Sequence, residues 1–466
     1  MGEQDDFVFL PASLLRKTGL PPGGSVNVKI GSFTRIVTIG AVQCTGGTPD
    51  PVFFVSPNLQ DLCQIPAGTE ITLKYESNKK TLSAGPLVGL FTVRNILPDS
   101  EFGSQEPTLR ALVNSGSKLL GVVFVFCPED LDWDRLTVTG RIPLINRESG
   151  NQTWRTLRLP LPDVVYDRIP SRTIELRPEI QEAKSKLLAV PELTYFNPMF
   201  LNKWETHEAL SGITEVAPYL PPTKLVEIPD DIRDFINHYK SVFLKPSSGS
   251  LGRRIIKVEV NEDGLYQFKY RSRERHTVEG VTPTFENLLK LLKPVMGKRP
   301  YIVQKDLNLA KYEKCPFDIR VLAQKDLWGR WRKTKIYVRK AAPDSFLANL
   351  SDGGRAKSIV TVLKEVFHTD LHAKDGLSEE LRNAVKNIPP ALERGTGVVW
   401  GELGLDLGID MNGKVWLIEI NSKPFRALVP ENGSYKVIER SLMRPLEYAK
   451  FMSGFFRHSP SLYKDQ

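Results

Sequence analysis

The residues best placed to do chemistry lie near the C-terminal end, in the stretch GELGLDLGIDMNGKVWLIEINSKP (401–424). Its two flanks alternate polar and apolar residues, the mark of half-buried strands, and Asn412-Gly413 between them is a strong two-residue hairpin signal. With that pair as the turn, Met411 faces Lys414 and the numbers of facing residues sum to 825. Asp406 then stands opposite Glu419, and Gly404 opposite Asn421. Facing residues share a side of the sheet, so Glu402, Asp406, Asp410, Glu419 and Asn421 form one face. Leu403, Leu405, Leu407, Ile409, Trp416, Ile418 and Ile420 form the other, which can enter a core. Opposed carboxylates with Cβ atoms about 5 Å apart repel, and a divalent cation between them reverses the sign of that interaction. Oxygen-only donors from Asp406, Glu419 and Asn421 suit Mg²⁺ or Mn²⁺ rather than zinc. A solvated acidic strand face is the competing reading. Glycines at 404 and 408 leave the polar face open to something bulky.

Five upstream segments offer matching chemistry. In VFLKPSSGSLGRRI (242–255) an apolar strand delivers Lys245 into a loop holding Ser247, Ser248, Gly249, Ser250 and Gly252. Such a loop can turn backbone N–H groups onto phosphate oxygens while the lysine adds a point charge. It is not a Walker A loop, and a plain hairpin turn would read the same way. In YIVQKDLNL (301–309) the strand end at Gln304, Lys305 and Leu307 could offer extended backbone to a nucleotide base. In FDIRVLAQ (317–324) Asp318 and Arg320 share one strand face, as a surface ion pair or as groups for a ribose or metal and an anionic oxygen. Arg339 stands on IYVRKAA and Asn349 precedes a Gly-Gly turn; of these two, the arginine fork better matches phosphate and carboxylate.

The elements that must position these groups fall into three regions. Residues 1–84 hold short strand-like runs broken by Gly and Pro, which predicts a small β-barrel. Residues 85–194 carry βαβ texture: PLVGLFTV, a helix around 105–118, GVVFVFC, then PLPDVVYDRIP as a further strand, implying a parallel sheet. Residues 195–466 hold predicted helices at 202–211, 284–293, 355–367, 377–386 and 433–457. A strand ending in Lys245 and strands at 300–305, 317–325 and 334–341 lie among them. The expected class is therefore mixed α+β and α/β in several domains, as 466 residues require.

Composition narrows the partners. The longest apolar run, Leu119 to Cys127, is far short of the roughly 20 residues a membrane helix needs. The acidic start MGEQDDFVF fits neither a signal peptide nor myristoylation, and the four cysteines lack metal spacing, so a cytoplasmic location is expected. A net charge of +9 favours acidic or polyanionic partners. The clusters Arg271-Ser272-Arg273-Glu274-Arg275 and Arg330-Trp331-Arg332-Lys333 read as solvated faces or as a groove for phosphate or an acidic substrate. No helix-turn-helix, zinc-finger or RNA-binding aromatic pattern accompanies them, so nucleic acid is not an expected partner.

Taken in order, a lysine with a glycine loop, a hinge, two arginines and an Asp/Glu/Asn face resemble the ATP-grasp superfamily. The resemblance is nearest to the YheC/YheD type of endospore coat-associated proteins, through NPMFLNKWETHEAL, LPDVVYDRIP, KPSSGSLGR, FDIRVLAQ, NLSDGG and GELGLDLGID…VWLIEINSKP. It implies a C-terminal ATP-grasp fold over 195–466 behind a pre-ATP-grasp domain, with ATP and Mg²⁺ as cofactors. Lys245 would contact the α- and β-phosphates under the 247–252 loop, and Gln304 to Leu307 would form the adenine hinge, with Gln304 where relatives often have Glu. Asp318 would serve the ribose or order the metal, and Asp406, Glu419 and Asn421 would hold magnesium. Arg339 would sit by the γ-phosphate and Arg320 by an anionic oxygen. Lys203 lies early in a preceding helix, and His207 stands where a second phosphate lysine is more usual. The implied reaction joins a carboxylate and an amine through an acyl-phosphate, on a small molecule, a peptide or a spore coat protein. A non-catalytic nucleotide-binding coat protein and an ATP-grasp-type kinase are the alternatives.

Overall fold

The computed structural model describes residues 6–42, 53–95, 97, 100–145, 152–249, 253–272, 276–342, 354–369, 376–426, 428 and 434–456. Four sheets follow one another along the chain. The first has six strands, with Phe7–Pro11 running parallel to Phe33–Val42 and Ser25–Ile30 parallel to Thr81–Gly85. It also carries two short helices, Ala12–Thr18 and Pro57–Leu62, that the strand-only pattern does not announce. Leu10, Val37 and Ile39 form its core.

The second sheet is built on Leu87–Phe91, flanked in parallel by Val122–Phe126 and Val164–Asp167. All three strands are buried along their whole length, as the continuous apolar runs predict for a parallel sheet covered on both faces. Thr194–Phe196 adds a further parallel strand, and the antiparallel ribbon Thr137–Ile145 with Gln152–Pro160 completes the other edge. Glu106–Gly116 is the expected helix, and Pro178–Ala189 is one the sequence reading omits.

The third sheet places Ser241–Pro246 between Tyr301–Lys305 and Ile256–Val260, with helices Pro229–Tyr239 and Phe285–Met296 packed on it. The fourth runs Arg355–Lys357, Trp331–Lys340, Cys315–Lys325, Glu402–Ile409, Val415–Asn421. Helices Ile359–Phe367 and Gly376–Thr396 cover one face of it; Leu363, Ala384 and Ile388 meet Leu403, Leu405 and Leu407 there. The first of these helices is shorter than expected because residues 355–357 are strand. The second is longer and runs through Pro389-Pro390.

The hairpin differs from the tight-turn register in one instructive way. Ile409 pairs with Val415, so residues 410–414 all lie in the connection, and Asp410 Oδ1 accepts from the N–H groups of Asn412 and Lys414. Counting from that end, every pair is offset by one from the expected register. A bulge at Ile418 restores it: Asp406 faces Glu419 and Gly404 faces Asn421, as expected. The cost of the bulge falls on the core face. Val415 and Leu417 pack into the core, whereas Trp416 turns to the polar face and donates its indole N–H to Asp410 Oδ2 at 2.9 Å. The expectation that Trp416 and Ile418 belong to the core face is thereby corrected.

Candidate active site

A cleft lies between the third and fourth sheets. Lys245 enters it from the strand Ser241–Pro246, and Gln304 from the neighbouring strand Tyr301–Lys305. Lys203 and His207 enter from helix Lys203–Ser211, and Glu419 from the hairpin. Spacing of one helical turn puts Lys203 and His207 on one side of their helix. Asn202 caps it, its Oδ1 accepting from Trp204 N at 2.8 Å.

Lys245 is buried, and its Nζ donates to Gln304 Oε1 at 2.5 Å; Gln304 Nε2 in turn donates to Thr223 Oγ1 at 2.8 Å. Burial, reinforced by the nearby Lys203 ammonium, pulls the Lys245 pKa down to about 8. An arriving anion would satisfy this ammonium. Lys203 Nζ lies 3.1 Å from Glu419 Oε1 and 3.1 Å from the Gly249 carbonyl, and its backbone N–H donates to Ser247 O at 2.8 Å. The start of the glycine loop is thus tied to the helix N-terminus. Ser247 Oγ is buried with no hydrogen-bond partner among the described residues. His207 stacks on Trp204 with centroids 5.6 Å apart, and burial holds its pKa below the usual imidazole value.

At the hinge, Lys305 N–H donates to Pro222 O and Asp306 N–H to Ser241 O, so Leu307 is the first hinge residue whose N–H is unused among the described residues. The Lys305 ammonium sits over the Tyr239 ring, 5.4 Å from its centroid.

The polar face of the fourth sheet forms a second cluster beside the cleft. Arg320 faces Asp406 and Asp406 faces Glu419 across adjacent strands. Arg320 grips Asp406 with two nitrogens, and Arg339 Nη2 reaches Asp406 Oδ2 at 2.7 Å while bonding Asp318 twice, at 2.7 and 2.6 Å. Burial raises the Asp406 pKa, but Arg320 and Arg339 outweigh it and hold the carboxyl below its ordinary value. Asn421 Nδ2 lies 3.4 Å from Asp406 Oδ2. Asp406, Glu419 and Asn421 therefore share one sheet face beside the lysines; their types suit a hard divalent cation, while here both Asp406 oxygens are held by the arginines and Asn421 turns its amide N–H to Asp406.

The structure thus brings Lys203, His207, Lys245, Gln304 and Glu419 into one cleft, and Asp318, Arg320, Arg339, Asp406 and Asn421 into a continuous network beside it. Ser247, Ser248 and Gly249 begin the loop over the cleft; Ser250, Gly252 and Asn349 lie outside the described residues. Sequence reasoning missed Thr223, which orients Gln304. It also missed Asn197, which is fully buried and ties the hairpin strands together. Asn197 Oδ1 accepts from Gly401 and Glu402 N–H groups, and its Nδ2 donates to the Glu402 and Ser422 carbonyls. Asn197 is the first residue of the run NPMFLNK, which was the available signal for the second; nothing local marks the first.

Comparison with known proteins gives a consistent result. Residues 192–452 match the model of a family described as YheC/D like ATP-grasp. The chain is 30% identical over 380 residues to endospore coat-associated protein YheD of Bacillus subtilis (strain 168), covering 80% of each. It is 27% identical over 316 residues to endospore coat-associated protein YheC of the same organism, covering 66% of this chain and 82% of the relative. Among solved structures, D-cycloserine synthetase DcsG aligns with a TM-score of 0.46 at 14% identity, over 78% of this chain and 99% of that one. No described helix is long and apolar enough to cross a membrane.

Proposed function

The chain belongs to the YheC/D-like ATP-grasp family, and from that premise we propose that it is an ATP- and Mg²⁺-dependent carboxylate–amine ligase. The observation that carries the reading is the convergence of Lys203, Lys245 and Gln304 with Glu419 on one cleft, next to the Asp406/Asn421 face. Lys245 is a desolvated cation suited to the α- and β-phosphates, and the loop beginning at Ser247 supplies donors around them. The hinge at Leu307 offers the adenine an open N–H. Asp406, Glu419 and Asn421 would hold magnesium, which when bound neutralises charge on the β- and γ-phosphates. Arg339 and Arg320 stand beside that face, where anionic oxygen accumulates as the γ-phosphoryl group moves.

In the proposed reaction a substrate carboxylate oxygen bonds to the γ-phosphorus and the bond to the ADP oxygen breaks, giving an acyl-phosphate. An amine nitrogen then bonds to the acyl carbon, phosphate leaves, and the amine gives up a proton. The chain needs no covalent nucleophile for this; positioning and charge compensation suffice. A small molecule, a peptide or a coat protein could provide the carboxylate, and a cytoplasmic site of action fits ATP as the phosphoryl donor.

Mass spectrometry of products after incubation with ATP, Mg²⁺ and cell lysate tests this. ADP, phosphate and an amide-bearing product are expected. A phosphorylated product without amide would instead make the protein a kinase, and tight ATP binding without phosphate release would make it a non-catalytic binder. The site itself is tested by Asp406→Ala with Glu419→Ala: unchanged ATP and Mg²⁺ binding in the double variant would refute the assignment.

A further inference from the structure

The basic run Arg330-Trp331-Arg332-Lys333 takes no part in the cleft. It opens the strand Trp331–Lys340, which carries a bulge: Lys333 faces Ala323 and Lys335 faces Leu322, leaving Thr334 unpaired in register. The extra residue reverses the alternation, so Trp331, Lys333 and Ile336 share the face turned toward helix Gly376–Thr396. Thr334 points the other way and donates to Gln324 Oε1 at 2.7 Å. Without the bulge, Lys333 and Ile336 would stand on opposite faces.

Between this strand and the helix lies an open groove. Trp331, Ile336 and Leu381 belong to its apolar floor, and Arg332, Lys333 and Lys386 to its rim; among the described residues no acidic one lines it. Arg332 has a partner in Asp326 at 2.8 Å, whereas Lys333 and Lys386 are exposed and form no ion pair among the described residues. The Trp331 ring is fixed from behind, its N–H donating to Glu393 Oε2 at 2.9 Å. None of the groove's lining residues lines the ATP cleft, and Ala323 lies on the sheet face opposite Arg320 and Asp406.

We propose that this groove docks an acidic peptide segment carrying an apolar side chain. The apolar side chain seats on Trp331, Ile336 and Leu381, and flanking carboxylates pair with Lys333 and Lys386. Charge complementarity selects the occupant: every charged residue described at the rim is cationic and the chain carries +9 overall, which favours encounter with an acidic partner. Single-stranded nucleic acid would want a row of aromatic rings for successive bases, and the groove offers one.

The test is fluorescence anisotropy of a fluorescein-labelled peptide of alternating Glu and Leu with the full chain at low salt. Saturable binding is expected, weakened about tenfold by Lys333→Glu or Lys386→Glu and lost in the double variant. Both positions are exposed, so the variants should retain the wild-type melting temperature. Lys245→Gln should leave peptide binding unchanged, which separates this site from the ATP cleft. Equal binding of a Gln/Leu peptide, or wild-type affinity in the double reversal, overturns the proposal. So does displacement of the peptide by single-stranded DNA or anionic phosphatidylserine vesicles at lower concentration than by unlabelled peptide.

Discussion

Lys245 shows how a single residue sets stability against binding. Its pKa falls from the ordinary 10.5 to about 8 because burial removes water from the ammonium and Lys203 adds a like charge. The unfolded chain therefore holds this proton more tightly than the native one. The protonated lysine destabilises the ligand-free fold fully below pH 8, and the penalty disappears as pH rises from 8 to 10.5. A shift of this size corresponds to roughly 3 kcal/mol. Lys245→Gln should accordingly raise the melting temperature of the free protein at pH 7, with the gain shrinking above pH 8. Binding runs the other way: ATP prefers the protonated form, so wild-type affinity should fall as pH climbs past 8, while the variant binds weakly and without that pH dependence. Calorimetric titration at pH 7 and 9 beside thermal melts checks both. A wild type whose ATP affinity is flat across that interval would show that Lys245 does not meet the phosphates.

At the scale of elements, the hairpin shows what a sequence can and cannot reveal. Alternation and the Asn-Gly signal were enough to pair Asp406 with Glu419, yet the route between them was different. The connection spans 410–414, and a bulge at Ile418 cancels its offset. Period-2 reasoning has no means of seeing two compensating one-residue shifts, so Trp416 was legible as apolar but not as Asp410's partner. Asn197 was harder still, because its partners at Gly401, Glu402 and Ser422 become neighbours only in the folded chain. It adopts a left-handed backbone (φ 55°) and satisfies N–H and C=O groups on both ends of the hairpin. Asn197→Ala removes all of these bonds and leaves buried polar groups unmet. A loss of at least about 3 kcal/mol is expected, read from urea denaturation. Asn197→Asp keeps the acceptor but turns a carboxylate oxygen onto the Glu402 and Ser422 carbonyls, so it should lose at least as much at pH 7; a clearly smaller loss than in Asn197→Ala would mean that those two carbonyl contacts contribute little.

For the molecule as a whole, the sequence pattern separates 85–194 from 195–466, but the packing joins them. The helix Tyr435–Met452, the last among the described residues, returns to the second sheet, where Leu442, Leu446 and Ala449 pack with Val88, Val123 and Phe196. Buried charges bridge the same seam: Lys423, just past the hairpin, bonds Asp167 and Glu175, and Arg168 bonds Glu402 at 3.0 Å. An amphipathic tail is readable from its period, but not which sheet it will cover, since apolar stripes do not specify partners. One consequence is that the second sheet and the hairpin sheet should unfold together. Leu446→Ala opens a cavity at a fully buried position and should cost about 2–5 kcal/mol. In hydrogen exchange, Val122–Phe126 and Glu402–Ile409 should lose protection by the same factor, because no state that releases the helix leaves the seam intact. Faster exchange confined to Val122–Phe126 would show instead that the charge bridges alone hold the hairpin sheet, and that the proposed ATP site is insulated from the domain in front of it.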